Sequence, residues 1–310
     1  MISELRVTTV AVSDLDRSRA FYADTFGYVP HAEAEVRGPA AEAAWQMPAG
    51  LTGRAVVMGP EGATTGLLRL VQFAAPGRPY WGEYARPQDY GHYALNIRVD
   101  DLHAAVARLV AAGGRQKSQP TRWTVMEDLS AWDSLSYDPD GVVLDVFQLE
   151  PGPTSPLAGY DGRPSELQTV AIHVSDARRA AAFYTALGYE VLYDKLIENM
   201  ESFFRLPPGT GLHNINLFMP GGTVNGRVEI AQYVGFPGRQ QRDAAVPPNL
   251  GILSASLETD DLAATSALVT GLGAEPVCPP VEVDLPPYGS ALVQSFFGPD
   301  GEVLEFYQCG

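Results

Sequence analysis

The chain has 310 residues, with 37 Asp and Glu against 21 Lys and Arg and a formal net charge of −16. At 45% hydrophobic and 19% charged residues it holds enough apolar matter for about two domains and is not disordered over most of its length. The negative charge excludes a nucleic-acid or peripheral-membrane partner, and two cysteines, Cys278 and Cys309, exclude a disulfide framework or a Cys-rich zinc site.

From the N-terminus, no apolar run of signal-peptide length precedes Glu4 and Arg6, and no stretch of 18 apolar residues occurs, so a soluble cytoplasmic protein is expected. Residues 7–12 (VTTVAV) alternate as a strand, Asp14 stands at a helix N-cap position, and an amphipathic segment runs to Gly27. The turn-bounded strands RAVVMGP and GLLRLVQF follow, then an aromatic connector, PYWGEYARPQDY (79–90). A second strand–Asp–helix unit opens at Asp101, and a further strand follows the PDG at 139–141. EPGPTSPLAGYDGRPSE (150–166) carries four prolines and no periodicity, which reads as a linker.

Beyond the linker the pattern repeats. VTTVAVSDLDRSRAFYADTFGY (7–28) returns as TVAIHVSDARRAAAFYTALGY (169–189), and YDPDGVVLDVFQ (137–148) returns as FGPDGEVLEFYQ (297–308). The two offsets agree to within two residues, so the chain is two homologous halves, 1–149 and 166–310, joined by a linker at 150–165. Each half divides again, and four βαβββ units paired two by two within the halves, an α+β fold with curved sheets, are expected, while the strand patterns allow the pairing to be exchanged between the halves. Alternation turns Val10, Val12, Val170, Ile172 and Val174 toward the helices, and Val7, Thr9, Ala11, Thr169, Ala171 and His173 toward a cleft.

The helix openings ending in Phe21–Tyr22 and Phe183–Tyr184, with the PDG signatures at 139–141 and 299–301, resemble the vicinal oxygen chelate superfamily. That superfamily includes glyoxalase I, the bleomycin-resistance proteins and the extradiol dioxygenases. The resemblance implies metal ligands seven residues before each helix-opening Asp and four after the PDG glycine or its equivalent. Those places hold Val7, Ala94, Thr169 and Ser254, and Arg69, Asp145, Glu229 and Glu305. None is histidine, and the hydroxyls of Thr169 and Ser254 are poor substitutes for imidazole. No metal or other cofactor is therefore expected; the candidate ligands, should a divalent metal bind, are Glu229, Glu305 and His173.

Two acids in one apolar cleft do not both ionise easily, so Glu229 and Glu305, with His173 assisting, are the candidate catalytic groups. Thr169, Ser254, Asn214, Asn216 and Tyr233 are the candidate ligand contacts, and His92 is placed on the cleft side by parity. Val7, Arg69, Ala94 and Asp145 make a vestigial first-half site, which an Arg69–Asp145 ion pair is expected to close. The expected function is metal-independent acid/base chemistry, of isomerase, cyclase or lyase type, on a hydrophobic or aromatic small molecule in the second half. The alternatives are a non-catalytic natural-product or drug binder and a metal-dependent oxygenase with relocated ligands. The expected partner is a small molecule, in a monomer or homodimer without nucleic acid or membrane.

Overall fold

The structure is a computed structural model that describes residues 1–81, 86–152, 163–198 and 201–310; most of the 150–165 linker lies outside them. Four units follow one another. Unit 1 comprises β1 (Ile2–Ala11), α1 (Leu15–Phe26), β2 (Val29–Val36), a short α2 (Pro39–Trp45), β3 (Gly53–Gly59) and β4 (Leu67–Phe73). Unit 2 comprises β5 (Gly91–Arg98), α3 (Leu102–Ala111), β6 (Arg115–Gln116), β7 (Thr121–Met126), β8 (Leu129–Tyr137) and β9 (Val143–Pro151). Unit 3 comprises β10 (Leu167–His173), α4 (Ala177–Ala186), β11 (Glu190–Ile197), α5 (Glu201–Phe204), β12 (Gly211–Phe218) and β13 (Arg227–Val234). Unit 4 comprises β14 (Gly251–Thr259), α6 (Leu262–Gly271), β15 (Glu275–Pro276), β16 (Val281–Leu285), β17 (Gly289–Phe297) and β18 (Val303–Cys309). Units 1 and 3 thus share an inserted short helix and units 2 and 4 an added hairpin strand, the record of a doubled two-unit half.

Local chemistry starts each long helix in the same way. The carboxylates of Asp14, Asp101, Asp176 and Asp261 accept from backbone N–H groups of the first turn, at 2.9–3.0 Å, and satisfy donors that have no partner within the helix. Gly27, at φ 71, ends α1 in the left-handed conformation.

Two mixed sheets result, each of nine strands among the described residues. Sheet I runs β15-β17-β18-β14-β1-β4-β3-β2 and sheet II runs β11-β12-β13-β10-β5-β9-β8-β6, with β16 and β7 added on β17 and β8. Unit 1 therefore pairs with unit 4, and unit 2 with unit 3. This corrects the expected pairing within each half: the antiparallel seams are β1 with β14 and β10 with β5, so both sheets draw a unit from each half. Face alternation is the same for either arrangement, which is why it does not select the partner.

The sheets are stitched by a closed ring of four backbone hydrogen bonds. Gly66 N–H donates to the Leu5 carbonyl (3.1 Å), Leu5 N–H to Gly226 (2.9 Å), Gly226 N–H to Leu167 (3.1 Å) and Leu167 N–H to Gly66 (2.8 Å). Both glycines have positive φ, and a Cβ at either would lie 2.5 Å from the carbonyl oxygen of Leu167 or Leu5. Apolar side chains under the helices, among them Val10, Val12, Val170, Ile172 and Val174, form one continuous core that draws on both sheets. The opposite, concave faces carry the polar groups.

Candidate functional site

Each sheet curls around one cleft, and the two clefts differ in chemistry. In the sheet I cleft the parallel registers set Thr9 beside Arg69 and Ser256 beside Glu305. Arg69 and Glu305, both fully buried, form an ion pair at 3.1 Å. Glu305 Oε1 also accepts from Ser256 Oγ (2.7 Å) and Oε2 from Trp45 Nε1 (2.6 Å). Trp45 reaches it from α2, the helix inserted in unit 1. Arg69 donates further to the Tyr288 hydroxyl (3.1 Å) and lies 5.0 Å from the Trp45 ring and 5.2 Å from the Tyr288 ring. The guanidinium thus fills the centre of the cleft, with a paired charge and two aromatic faces. Val7 and Ser254 belong to this cleft, and Ser254 Oγ has no hydrogen-bond partner among the described residues.

The expected Arg69–Asp145 pair is therefore corrected to Arg69–Glu305, and Glu229 and Glu305 do not share a cleft. The reason is the exchange of units: Asp145 and Glu229 belong to sheet II, Arg69 and Glu305 to sheet I. A division into a vestigial first-half site and a working second-half site falls with it.

The sheet II cleft gathers the remaining candidates. Asn96 stands beside Asp145 in the parallel register of β5 and β9, and Ala94 two residues earlier. Glu229 Oε2 accepts from Asn96 Nδ2 (2.6 Å) and Thr169 Oγ1 (3.3 Å), and Oε1 accepts from Asn214 Nδ2 (2.8 Å). Asp133, on β8, accepts from Trp123 Nε1. Asp133, Asp145, Glu229, Asn216 and Arg227 line a chamber of about 60 Å³, together with apolar side chains such as Val125, Ala131 and Phe147. The chamber adjoins an apolar groove of about 310 Å³, walled by Phe218, Met219 and Val224, and the two share Met126, Leu129, Leu192 and Arg227.

Burial sets the protonation of this chamber. It pushes Asp133 up to about 7, where the Trp123 bond opposes the shift and the charge of Glu229 adds to it. Asp145 is held well above the usual carboxylate range by burial and then by Asp133 and Glu229, with Lys117 opposing. Burial raises Glu229 as well, while its bonds from Asn214, Thr169 and Asn96 and the charge of Arg227 pull it back. Burial pulls the Arg227 guanidinium down to about 10.

His173 lies at another part of the same face. Its ring stacks on Tyr93 at 3.8 Å and meets Tyr233 edge-on at 4.8 Å and Trp81 at 6.5 Å. Burial pushes it down to about 3, which holds the ring in its neutral form. His92 is turned away from the cleft, with Nε2 3.0 Å from the Val303 carbonyl oxygen. A β-bulge at Tyr93 places both Tyr93 and Ala94 on the concave side and so reverses the parity that sequence alternation assigns to His92.

The divalent metal that the resemblance implies finds no assembled donor set in either cleft. Arg69 occupies the first, and in the second both Glu229 oxygens face N–H and O–H donors where an ion would need lone pairs. Among the described residues no three His, Cys, Asp or Glu stand close enough to hold an ion, so Glu229, Glu305 and His173 form no ligand set.

Asp133, Asn96, Arg227, Trp45 and Ser256 were not among the sequence candidates. Asn96 and Ser256 sit five rather than seven residues before the helix-opening Asp, on the same parity as Ala94 and Ser254. A charged residue at the inward parity of β8 was the signal available for Asp133.

Residues 5–146 match the family model described as Glyoxalase/Bleomycin resistance protein/Dioxygenase superfamily. Glyoxalase I from Zea mays is similar in structure, with a TM-score of 0.63 at 18% identity over 98% of this chain and 92% of that one. A putative dioxygenase from Bacillus subtilis subsp. subtilis str. 168 gives a TM-score of 0.61 at 11% identity over 99% of this chain and 85% of that one. These likenesses show the fold. No curated protein matches the sequence.

Proposed function

We propose that the chain is a tandem member of the glyoxalase, bleomycin-resistance and dioxygenase superfamily, whose model matches residues 5–146, and that it binds a small organic molecule in the sheet II cleft and exchanges a proton with it through Asp133, Asp145 and Glu229. The carrying observation is that these three carboxylates line one chamber, with their proton affinities raised by burial. Glu229, fixed by three donors, is the group best held as an anion and so serves as the base. Asp145 and Asp133, whose proton affinities burial raises, serve as acids. The apolar groove at the chamber's mouth takes the body of the molecule.

The reading routes no step through a metal: Arg69 occupies the first cleft, and in the second the Glu229 oxygens already accept from Asn96, Thr169 and Asn214. This moves the proposed catalytic groups from Glu305 and His173 to the acids of units 2 and 3. A sequestering role is the second reading, supported by the apolar wall of Phe218, Met219 and Val224.

The test incubates EDTA-treated protein with a panel of small apolar-bodied molecules in D₂O and follows deuterium uptake or product by mass spectrometry. Exchange that disappears in Glu229→Gln and Asp145→Asn is expected. Exchange that requires added Fe²⁺ or Mn²⁺ overturns the metal-independent reading, and tight binding of unchanged molecules favours sequestration.

A further inference from the structure

We infer that the chamber of sheet II receives an organic cation, the ammonium or amidinium end of a molecule whose apolar body lies in the adjoining groove. The inference rests on the ligand site proposed above and names the chemistry of its ligand. It starts from unsatisfied atoms. Among the residues lining the chamber, Asn96, Asp133, Gln168 and Asn216 are each more than nine-tenths buried, and each has a side-chain oxygen that accepts no hydrogen bond among the described residues. Asp145 Oδ1 is in the same state. Among the fully buried side-chain atoms of the same lining residues, the unpartnered donor is Arg227 Nε. Buried acceptors without donors are costly to keep, so the missing component is rich in N–H groups.

Amide orientation supports the count. Asn96 spends its Nδ2 on Glu229, so its free atom is the oxygen. Charge points the same way, because three carboxylates face the Arg227 guanidinium and, beyond the lining, the Lys117 ammonium that acts on Asp145. With Arg227 set against Glu229 and Lys117 against Asp145, one negative charge is left for one incoming monocation. Trp123, tied by its Nε1 to Asp133, and Tyr193 add aromatic faces to the wall, which suit a cation better than an anion. A hard metal ion also favours oxygen donors, but no three of the described His, Cys, Asp or Glu residues converge as it would require. Acceptors spread around the chamber fit a cation that carries several separated N–H groups.

Binding of a cation then shifts the proton equilibrium of Asp133 and Asp145 toward the ionised form, with partial proton release. The groups facing these two acids are Glu229, Arg227 and Tyr233 on β13, Lys117 between β6 and β7, Tyr193 on β11 and Tyr93 on β5. A cation among them favours the ionised acids, so affinity rises with pH until they are ionised in the free protein.

The experiment titrates the full chain calorimetrically with benzamidinium and phenethylammonium, and with benzoate and benzyl alcohol as matched controls. It is run at pH 5.5 and 8 in buffers of different ionisation heat. The cations are expected to bind with proton release and about tenfold tighter or more at pH 8. Asp145→Asn and Asp133→Asn are expected to weaken them about tenfold without lowering the melting temperature, since each removes a like-charge conflict. Loss of the ligand-induced fluorescence change in Trp123→Phe locates the site. If benzoate or benzyl alcohol binds there as tightly as the cations, or affinity falls with pH, the ligand site stands and its cation preference is overturned. If Ca²⁺ or Mg²⁺ displaces the organic cations with higher affinity, the chamber is a metal site and the inference fails. If no probe of any class changes Trp123 fluorescence, the cation inference and the ligand site fall together.

Discussion

Arg69 and Glu305 are both fully buried, so each charge depends on the other and on the Ser256, Trp45 and Tyr288 groups around them. Removing one member leaves an uncompensated buried charge, and Arg69→Ala should lower stability by about 3 kcal/mol or more in denaturant melts. The double replacement Arg69→Leu with Glu305→Leu should lose less, because no lone charge remains. A larger loss in the double variant would show that the pair contributes net stability. A second residue-scale consequence concerns pH. Burial pushes Asp133, Asp138 and Glu302 each up to about 7, the last two with Tyr22 and Tyr184 donating to them at 3.2 and 3.1 Å. Between about pH 4 and 7 the folded chain holds protons that the unfolded chain has released, so stability falls as pH rises through that window and levels off above it. Thermal melts should therefore show a higher Tm at pH 5.5 than at pH 8. Asp138→Asn, which keeps the Oδ1 acceptor for the backbone of Asp140 and Val142, should flatten part of the slope. A profile that rises toward pH 8 would contradict this account.

At the scale of elements, four helices begin on the same device, an aspartate in extended backbone accepting from the first turn. Asp101→Ala should cost about 1 kcal/mol, measured by chemical denaturation, with the fold retained. The Gly66–Gly226 ring behaves differently, since it joins strands of both sheets. Gly226→Ala forces a Cβ to 2.5 Å from the Leu5 carbonyl at φ +67, where an L side chain is strained. We expect a loss well beyond the usual 1 kcal/mol or so of a Gly-to-Ala exchange, and a cooperative one that melts both sheets together. Separate transitions for the two sheets would show that the ring does not couple them.

For the whole molecule, the exchange of units means that neither half owns a sheet. Unit 1 buries the β1 edge against β14 of unit 4, and unit 2 buries β5 against β10 of unit 3. Residues 1–149 expressed alone should therefore remain unfolded or aggregate through exposed seam strands, whereas co-expression with 166–310 should yield a stable heterodimer by size-exclusion chromatography. Independent folding of either half as a monomer would show that its units can pair with each other. The connectors hold the same arrangement from outside the sheets, through bridges between Pro79 and Leu250 and between Tyr90 and Gln240. No helix among the described residues is long and apolar enough to cross a membrane.

Repetition, helix caps and strand faces were legible in the sequence because each depends on neighbours along the chain. Asp14 caps α1 through Arg17, and Val10 and Val12 face the helices by strand parity, whatever the distant partner. Parity also turned Thr169 and Asn214 inward, where both meet Glu229. What only the tertiary structure decided were the contacts that cross between units. The four antiparallel seam strands are chemically alike, so either pairing satisfies their patterns. The choice separated Glu229 from Glu305 and gave Arg69 to Glu305 instead of Asp145. A single bulge at Tyr93 reversed His92, and a helix inserted after β2 carried Trp45 to the buried carboxylate. The character of each cleft, one closed by an ion pair and one ringed by unsatisfied oxygens, follows from which strands became neighbours. That selection is made by packing across some hundreds of residues and leaves no local pattern in the chain.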